Sequence, residues 1–213
     1  MKSNQFVSKA EEMVKENIIL SNQYLKALEY ANFHHKDQKR KQTDIPYISH
    51  CLAVSSLVLE AGGDEAQAIG GLLHDIAEDC GGEIRLVEIK DLFGSRIEKI
   101  VRGCSDSLTE SEENKSPWKE RKEKHLDKLR NSDEDILIVT GADKTHNAKA
   151  IATDLGIIGD DIWKRFNAPK SEIIWYYESV YEVLNNNEIS EFLLSQLENS
   201  IEFIKSYEIL IIE

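Results

Sequence analysis

Proline and cysteine are scarce in this chain of 213 residues, at three each, and there are eleven glycines. So few breakers leave no room for low-complexity linkers. Alternating apolar and polar runs of the kind that makes half-buried strands are also scarce, which argues against a sheet. No apolar run approaches the roughly 20 residues of a bilayer-spanning helix. No long apolar segment follows Met1–Gln5, so a signal peptide is not expected. Cys51, Cys80 and Cys104 are odd in number, widely spaced and without a CxxC pair, the pattern of reduced thiols in a cytoplasmic protein. Positive charge is in deficit: the formal net charge of −13 excludes a general nucleic-acid binder. A small anionic substrate remains compatible, because a local basic patch or a bound metal can reverse the field inside a pocket.

What the chain has in abundance is helical periodicity. Apolar residues recur at helix spacing over about 5–19, 21–36 and 47–61, then from Asp64 to Asp79, over 83–93, 95–104 and 118–130, and from Asp133 through Asn147. Three further segments follow at about 155–166, 170–185 and 189–206. Pro46 opens one helix, Gly62–Gly63 closes it, and Asp64 with Gln67 has the spacing of a capping box. Residues 105–117 are polar and acidic and read as a loop, either over a pocket or on the surface. No repeat and no domain boundary is visible. The expectation is one all-α domain over 1–213, a bundle of about ten helices, with an apolar C-terminus (Ile209–Ile212) suited to packing or to an oligomer interface.

One stretch stands out. Leu72–Asp79 places an imidazole and three carboxylates in six consecutive residues, His74, Asp75, Ile76, Ala77, Glu78 and Asp79. On a continuous helix, Gly71, His74, Asp75, Glu78 and Asp79 share an arc of roughly 140°, opposite Ile69, Leu72, Leu73 and Ile76. Carboxylates crowded this closely repel unless a cation or basic groups sit against them. Gly71 leaves space beside such a cation or allows close packing of another helix. His50 and Asp143 would complete a two-imidazole, two-carboxylate set suited to Mn²⁺, Fe²⁺ or Zn²⁺, with ligands projecting from three helices. Taken singly, His50 also reads as an ordinary helix histidine and Asp143 as a surface carboxylate.

Together these residues resemble a known family. His50, the run Leu72-Leu73-His74-Asp75-Ile76-Ala77-Glu78-Asp79, and Ala142-Asp143-Lys144-Thr145-His146-Asn147 are similar to the HD-domain superfamily of metal-dependent phosphohydrolases. Within it they resemble the hydrolase domain of RelA/SpoT-type enzymes and the small stand-alone alarmone hydrolases. His35 with Arg40-Lys41, Pro46-Tyr47-Ile48-Ser49-His50, Phe93-Gly94 and Arg121-Lys122 agree with that family's other boxes. The resemblance covers about residues 20–155, with the C-terminal helices 155–213 completing the bundle. It implies one Mn²⁺ on His50, His74, Asp75 and Asp143, with Glu78 and Asp79 positioning and deprotonating water. It also implies nucleotide or phosphate contacts from Lys36, Arg40 and Lys41, and ribose-phosphate contacts from Lys144 and Asn147. A solvated turn is the competing reading of Lys36–Lys41.

The activity implied is removal of the 3′-diphosphate of guanosine tetra- or pentaphosphate, giving GDP or GTP and pyrophosphate. No synthetase domain of typical size fits in the chain, so hydrolysis alone is expected, with a small nucleotide as partner and neither nucleic acid nor membrane. The alternatives are a nucleotidase or a phosphatase of NADPH or another nucleotide at the same site, a non-catalytic alarmone-binding module, and a purely structural metal. Thr145 replaces the family's usual leucine, His146 stands where the small enzymes tend to have tyrosine, and Lys149 replaces an arginine. These departures are expected to touch the nucleotide pocket rather than the metal. His146 reads as a proton donor, a phosphate contact or a helix-surface residue.

Overall fold

The computed structural model describes residues 19–106, 108 and 116–207. All but the last residue of the expected helix 5–19, most of the loop 105–117 and the stretch Ile209–Ile212 lie outside the described residues. The elements are α1 (Asn22–His35), α2 (Ile48–Glu60), α3 (Glu65–Leu73), α4 (Ile76–Cys80), α5 (Gly82–Phe93), α6 (Ser95–Cys104), α7 (Trp118–Leu129) and α8 (Glu134–Ile158). A 3₁₀ segment (Gly159–Arg165), α9 (Lys170–Asn186) and α10 (Glu191–Ser206) follow. The described residues hold no strand, only the isolated bridge Lys39–Pro46 in the turn before α2. The all-α architecture expected from periodicity is the one observed. No helix among the described residues is long and apolar enough to cross a membrane.

Local chemistry starts these helices where the sequence suggests. The Asp64 carboxylate accepts from the Gln67 backbone N–H while the Gln67 side chain accepts from the Asp64 N–H, a complete capping box on α3. Ser21 and Asp133 accept from the amides of Gln23 and Ile136, capping α1 and α8. Helix α8 is buried through Ile136, Leu137, Ile138, Val139, Thr140, Gly141, Ala142 and Asp143 in succession, as a helix enclosed on all sides must be. It packs against α2, α3, α6, α9 and α10. On the other side, Ile69, Leu72 and Leu73 of α3 and Ile76 of α4 are fully buried with Ala27, Ala31, Leu86 and Ile89. Each such Leu or Ile contributes about 1.5–3 kcal/mol, which fixes the helices while their polar edge stays free for other work.

Two expectations are corrected. The Asp64–Asp79 helix is not continuous: α3 ends at Leu73, and α4 restarts at Ile76 after Asp75 at φ −95°, ψ −5°. The cause is local. His74 Nδ1 lies 2.9 Å from the Gly71 carbonyl, the acceptor that the Asp75 amide would use in an unbroken helix, so a side chain competes with the backbone ladder. Likewise, no separate helix begins near 155. Helix α8 runs through Gly156 to Ile158 and stops at Gly159, whose φ of 59° suits glycine; residues 159–165 form the 3₁₀ turn. Gly71 serves packing: a Cβ there would stand 3.1 Å from the Ser55 Cα and N of α2, so its absence lets α3 lie directly on α2.

Candidate functional site

That close approach brings His50, on α2, to His74, at the α3–α4 break. Their Nε2 atoms are 3.2 Å apart. His50 Nε2 lies 3.2 Å from Asp143 Oδ1 and 3.6 Å from Asp75 Oδ2, while His74 Nε2 lies 3.7 Å and 2.9 Å from the same two atoms. His50, His74 and Asp75 form a group whose donor atoms fall within 4.8 Å of one another, with Asp143 reaching both histidines from the middle of α8. Adjacent ligands of an ion with bonds of about 2.1 Å sit about 3.0–3.4 Å apart, and the spacings here, from 2.9 to 3.7 Å, bracket that range.

Hydrogen bonding around the cluster is consistent with that. His74 Nδ1–H donates to the Gly71 carbonyl, which turns Nε2 inward. His50 Nδ1 is 2.8 Å from His146 Nδ1. Burial first, and His50 next, push the His146 imidazole down to about 4, so His146 is neutral and can accept the His50 Nδ1–H. Both Nε2 atoms face inward 3.2 Å apart with two carboxylates beside them. Against burial, Asp75 first and Asp143 next push the His74 imidazole well above its ordinary range, the mark of a place that favours positive charge. The Tyr47 hydroxyl donates to Asp75 Oδ2 at 2.5 Å, and Asn147 Nδ2 and Lys144 Nζ hold the two oxygens of Asp143 at 2.5 and 2.6 Å. Burial opposes ionisation of Asp75 and Asp143. His74 beside the first, and Lys144 with both histidines beside the second, overcome it and hold both well below the ordinary carboxylate range. Two charged carboxylates and two imidazoles fit a divalent transition metal.

Glu78 and Asp79 stand one turn along α4, and different groups restrain them. Glu78 Oε2 accepts the Asp106 backbone N–H at 2.9 Å. Burial, then the nearby Asp106 carboxylate, push Glu78 up to about 7. Asp79 Oδ2 accepts from Gln38 Nε2 at 2.7 Å. Asp106 itself is buried between Lys122, which donates to it, and His125 Nδ1 at 2.9 Å.

Beside the cluster lies a cleft of about 630 Å³. Its cations are Arg40, Lys41, Lys122, Lys144, Lys149 and Arg165, its aromatic walls include Tyr47, Trp118, Phe166, Tyr176 and Tyr177, and Asp154 is an acid on its lining. In a chain of net charge −13 this is a strong local reversal. Tyr47, Lys144, His146 and Asn147 line the cleft and also bond the candidate metal ligands, so cleft and cluster share a wall. Of the residues expected on the substrate side, Arg40, Lys41, Lys144 and Asn147 line the cleft. Lys36 is outside that lining, exposed at the end of α1 with its Nζ 5.3 Å from the Phe33 ring centroid.

The departures at 145–149 fall differently from expectation. Thr145 is buried, with Oγ1 3.5 Å from the Leu193 carbonyl of α10, so it packs and does not face the cleft. His146 bonds a candidate metal ligand, so the change there touches the metal shell. Lys149 lines the cleft while donating to Gln196 at 2.9 Å. Residues that sequence reasoning missed are Tyr47 as a donor to Asp75, Gln38 as a donor to Asp79, and the Asp106–Lys122–His125 group. Each is a contact between segments far apart in the chain, and spacing carries no signal of it.

A family profile described as the HD domain matches residues 27–171. A protein of Synechocystis sp. named probable guanosine-3′,5′-bis(diphosphate) 3′-pyrophosphohydrolase is 32% identical over 120 residues, 55% of this chain and 15% of that protein. The GTP pyrophosphokinase of Streptomyces coelicolor is 33% identical over 126 residues, 59% of this chain and 14% of that protein. The chain therefore spans about 15% of the length of these curated relatives. The solved structure of a metazoan ortholog of SpoT that hydrolyzes ppGpp matches with a TM-score of 0.70. It covers 86% of this chain and 96% of that one at 24% identity, a likeness of fold.

Proposed function

This chain belongs to the HD-domain family, and from that membership we propose that it is a Mn²⁺-dependent pyrophosphohydrolase of guanosine tetra- and pentaphosphate. Water adds across the bond between the ribose O3′ and its phosphorus, and the products are GDP or GTP and pyrophosphate. The observation that carries this reading is the meeting of the His50, His74, Asp75 and Asp143 donor atoms on one wall of a cationic, aromatic-lined cleft. Two imidazoles and two carboxylates, with two further carboxylates one turn along, are a donor set for activating water. That favours hydrolysis over the synthetic activity for which some relatives are named.

In this reading His50, His74, Asp75 and Asp143 hold the Mn²⁺. The ion supplies Lewis acidity that makes hydroxide available near neutral pH. Glu78 and Asp79 aim the water and take its proton, and a carboxylate held near 7 is matched to that task. Arg40, Lys41, Lys144 and Asn147 meet the phosphates and ribose, and the cleft cations offset charge on phosphorus oxygens as the bond to O3′ breaks. The aromatic walls suit a planar base.

The test is incubation of purified protein with Mn²⁺ and ppGpp, with nucleotides and pyrophosphate separated by anion exchange. Equal amounts of GDP and pyrophosphate are expected, abolished by EDTA. Intact ppGpp, together with dephosphorylation of NADPH or another nucleotide, would overturn the substrate assignment while leaving the site.

A further inference from the structure

Two segments distant in the chain meet at Asp79, the end of α1 with the turn after it and α4. His35 ends α1, Gln38 sits in the turn before α2, and Asp79 is on α4. Gln38 Nε2 donates to Asp79 Oδ2 at 2.7 Å, and Gln38 Oε1 is 2.6 Å from His35 Nδ1. The amide has a donor end and an acceptor end. With its NH₂ on the carboxylate, its oxygen must accept, so His35 carries its proton on Nδ1. A flipped amide would set its oxygen against the carboxylate, lose that bond and demand the Nε2–H tautomer of His35.

We propose that His35 and Gln38 are positioning residues that aim the Asp79 carboxylate: His35 fixes the orientation of the Gln38 amide, and Gln38 fixes Asp79. The inference rests on the reading of Asp79 as a residue that handles the attacking water.

The pair is built to be rigid. The Gln38 backbone N–H donates to the His35 carbonyl at 3.0 Å, and the Gln38 carbonyl accepts from the Tyr47 N–H at 2.9 Å. Main chain and side chain are therefore held at four points. His35 is 1% exposed. Burial keeps its imidazole neutral, and the Tyr47 ring packs over it with centroids 4.9 Å apart. Its Nε2 is buried without a hydrogen-bond partner among the described residues. His35 Nδ1 bonds Gln38 and lies 3.9 Å from Cys80 Sγ, while Nε2 carries the cost of that burial. Gln38 occupies one Asp79 oxygen and leaves the other free for water. An amide takes no proton under these conditions, so the proton stays with the carboxylate.

The competing explanation is that Gln38 merely staples the 36–47 turn to α4. Kinetics of the Mn²⁺-loaded full chain separate the two, using whichever phosphorylated nucleotide the wild-type protein hydrolyses. Inactivity on ppGpp alone then condemns the substrate assignment and not this proposal. Gln38→Ala and His35→Phe should each lower kcat about 10–100-fold, with KM and Mn²⁺ affinity unchanged. The double variant should be no worse than Gln38→Ala, because His35 acts through Gln38. Additive losses, an unchanged kcat in Gln38→Ala, or a loss confined to KM would overturn the proposal. A measurement that needs neither turnover nor a variant is the ¹⁵N imidazole spectrum of the wild-type protein. It should show His35 protonated on Nδ1, and an Nε2–H tautomer would equally overturn the proposal.

Discussion

His50, His74, Asp75 and Asp143 each lean on a further protein group: His146, the Gly71 carbonyl, Tyr47, and Asn147 with Lys144. Three of the cleft's cations are held more loosely, unlike Arg40 on Asn147 and Lys122 on Asp106. Lys149 donates to Gln196 on the surface, Arg165 pairs with Asp154, and Lys41 is exposed. The cluster is geometry fixed from behind, where one displaced atom spoils the shell. The cleft is a field, in which charge matters more than exact placement. Tyr47, Lys144, His146 and Asn147 belong to both, because they line the cleft and bond the candidate ligands.

Substitutions on the two sides should differ accordingly. Glu78→Gln is expected to lower kcat by about 10²–10⁴ while Mn²⁺ affinity, read by calorimetry, is retained; equal activity would remove Glu78 from the chemistry. His146→Phe takes away the acceptor for the His50 Nδ1–H. Mn²⁺ affinity should fall about 10–100-fold, and an unchanged titration would place His146 with the cleft alone.

In EDTA, the Glu78 contribution to thermal stability should decline as pH rises from about 4.5 to about 7. It runs against His35, His125 and His146, whose imidazoles burial holds below the ordinary range and which gain stability as pH rises. Glu78 is raised from 4.5 to about 7 in the folded chain, so the folded state holds a proton that the unfolded state has lost over that window. The melting temperature of Glu78→Gln minus that of the wild type should therefore rise across that range, as paired melting curves will show. Lys149→Ala, on the loosely held side, should raise KM by about twofold to fivefold and leave kcat and Mn²⁺ affinity alone.

Much of this was legible in the sequence because it is encoded locally. Helix periods, the Asp64–Gln67 box and the His74–Asp75 pair need neighbours only within a turn or two. Even the ligand set that the family resemblance implied meets in space. What escaped was contact between distant segments and one local bond between a side chain and the backbone. The helical projection of Leu72–Asp79 assumed an unbroken ladder and missed His74 taking the Gly71 carbonyl, which turns Asp75 beside it. Thr145 looked like a pocket residue because its neighbours are, yet its place on α8 points it at α10. Lys36 belonged to the basic run by sequence, but the end of α1 leaves it outside the cleft.

The most direct measurement is Mn²⁺ titration by calorimetry and electron paramagnetic resonance, on wild-type protein and Asp143→Ala, with ppGpp hydrolysis followed in the same samples. The wild-type chain should bind one Mn²⁺ and release GDP and pyrophosphate, and Asp143→Ala should lose both together. Undiminished Mn²⁺ binding by Asp143→Ala, or turnover persisting without the ion, would contradict a hydrolytic metal centre built from His50, His74, Asp75 and Asp143.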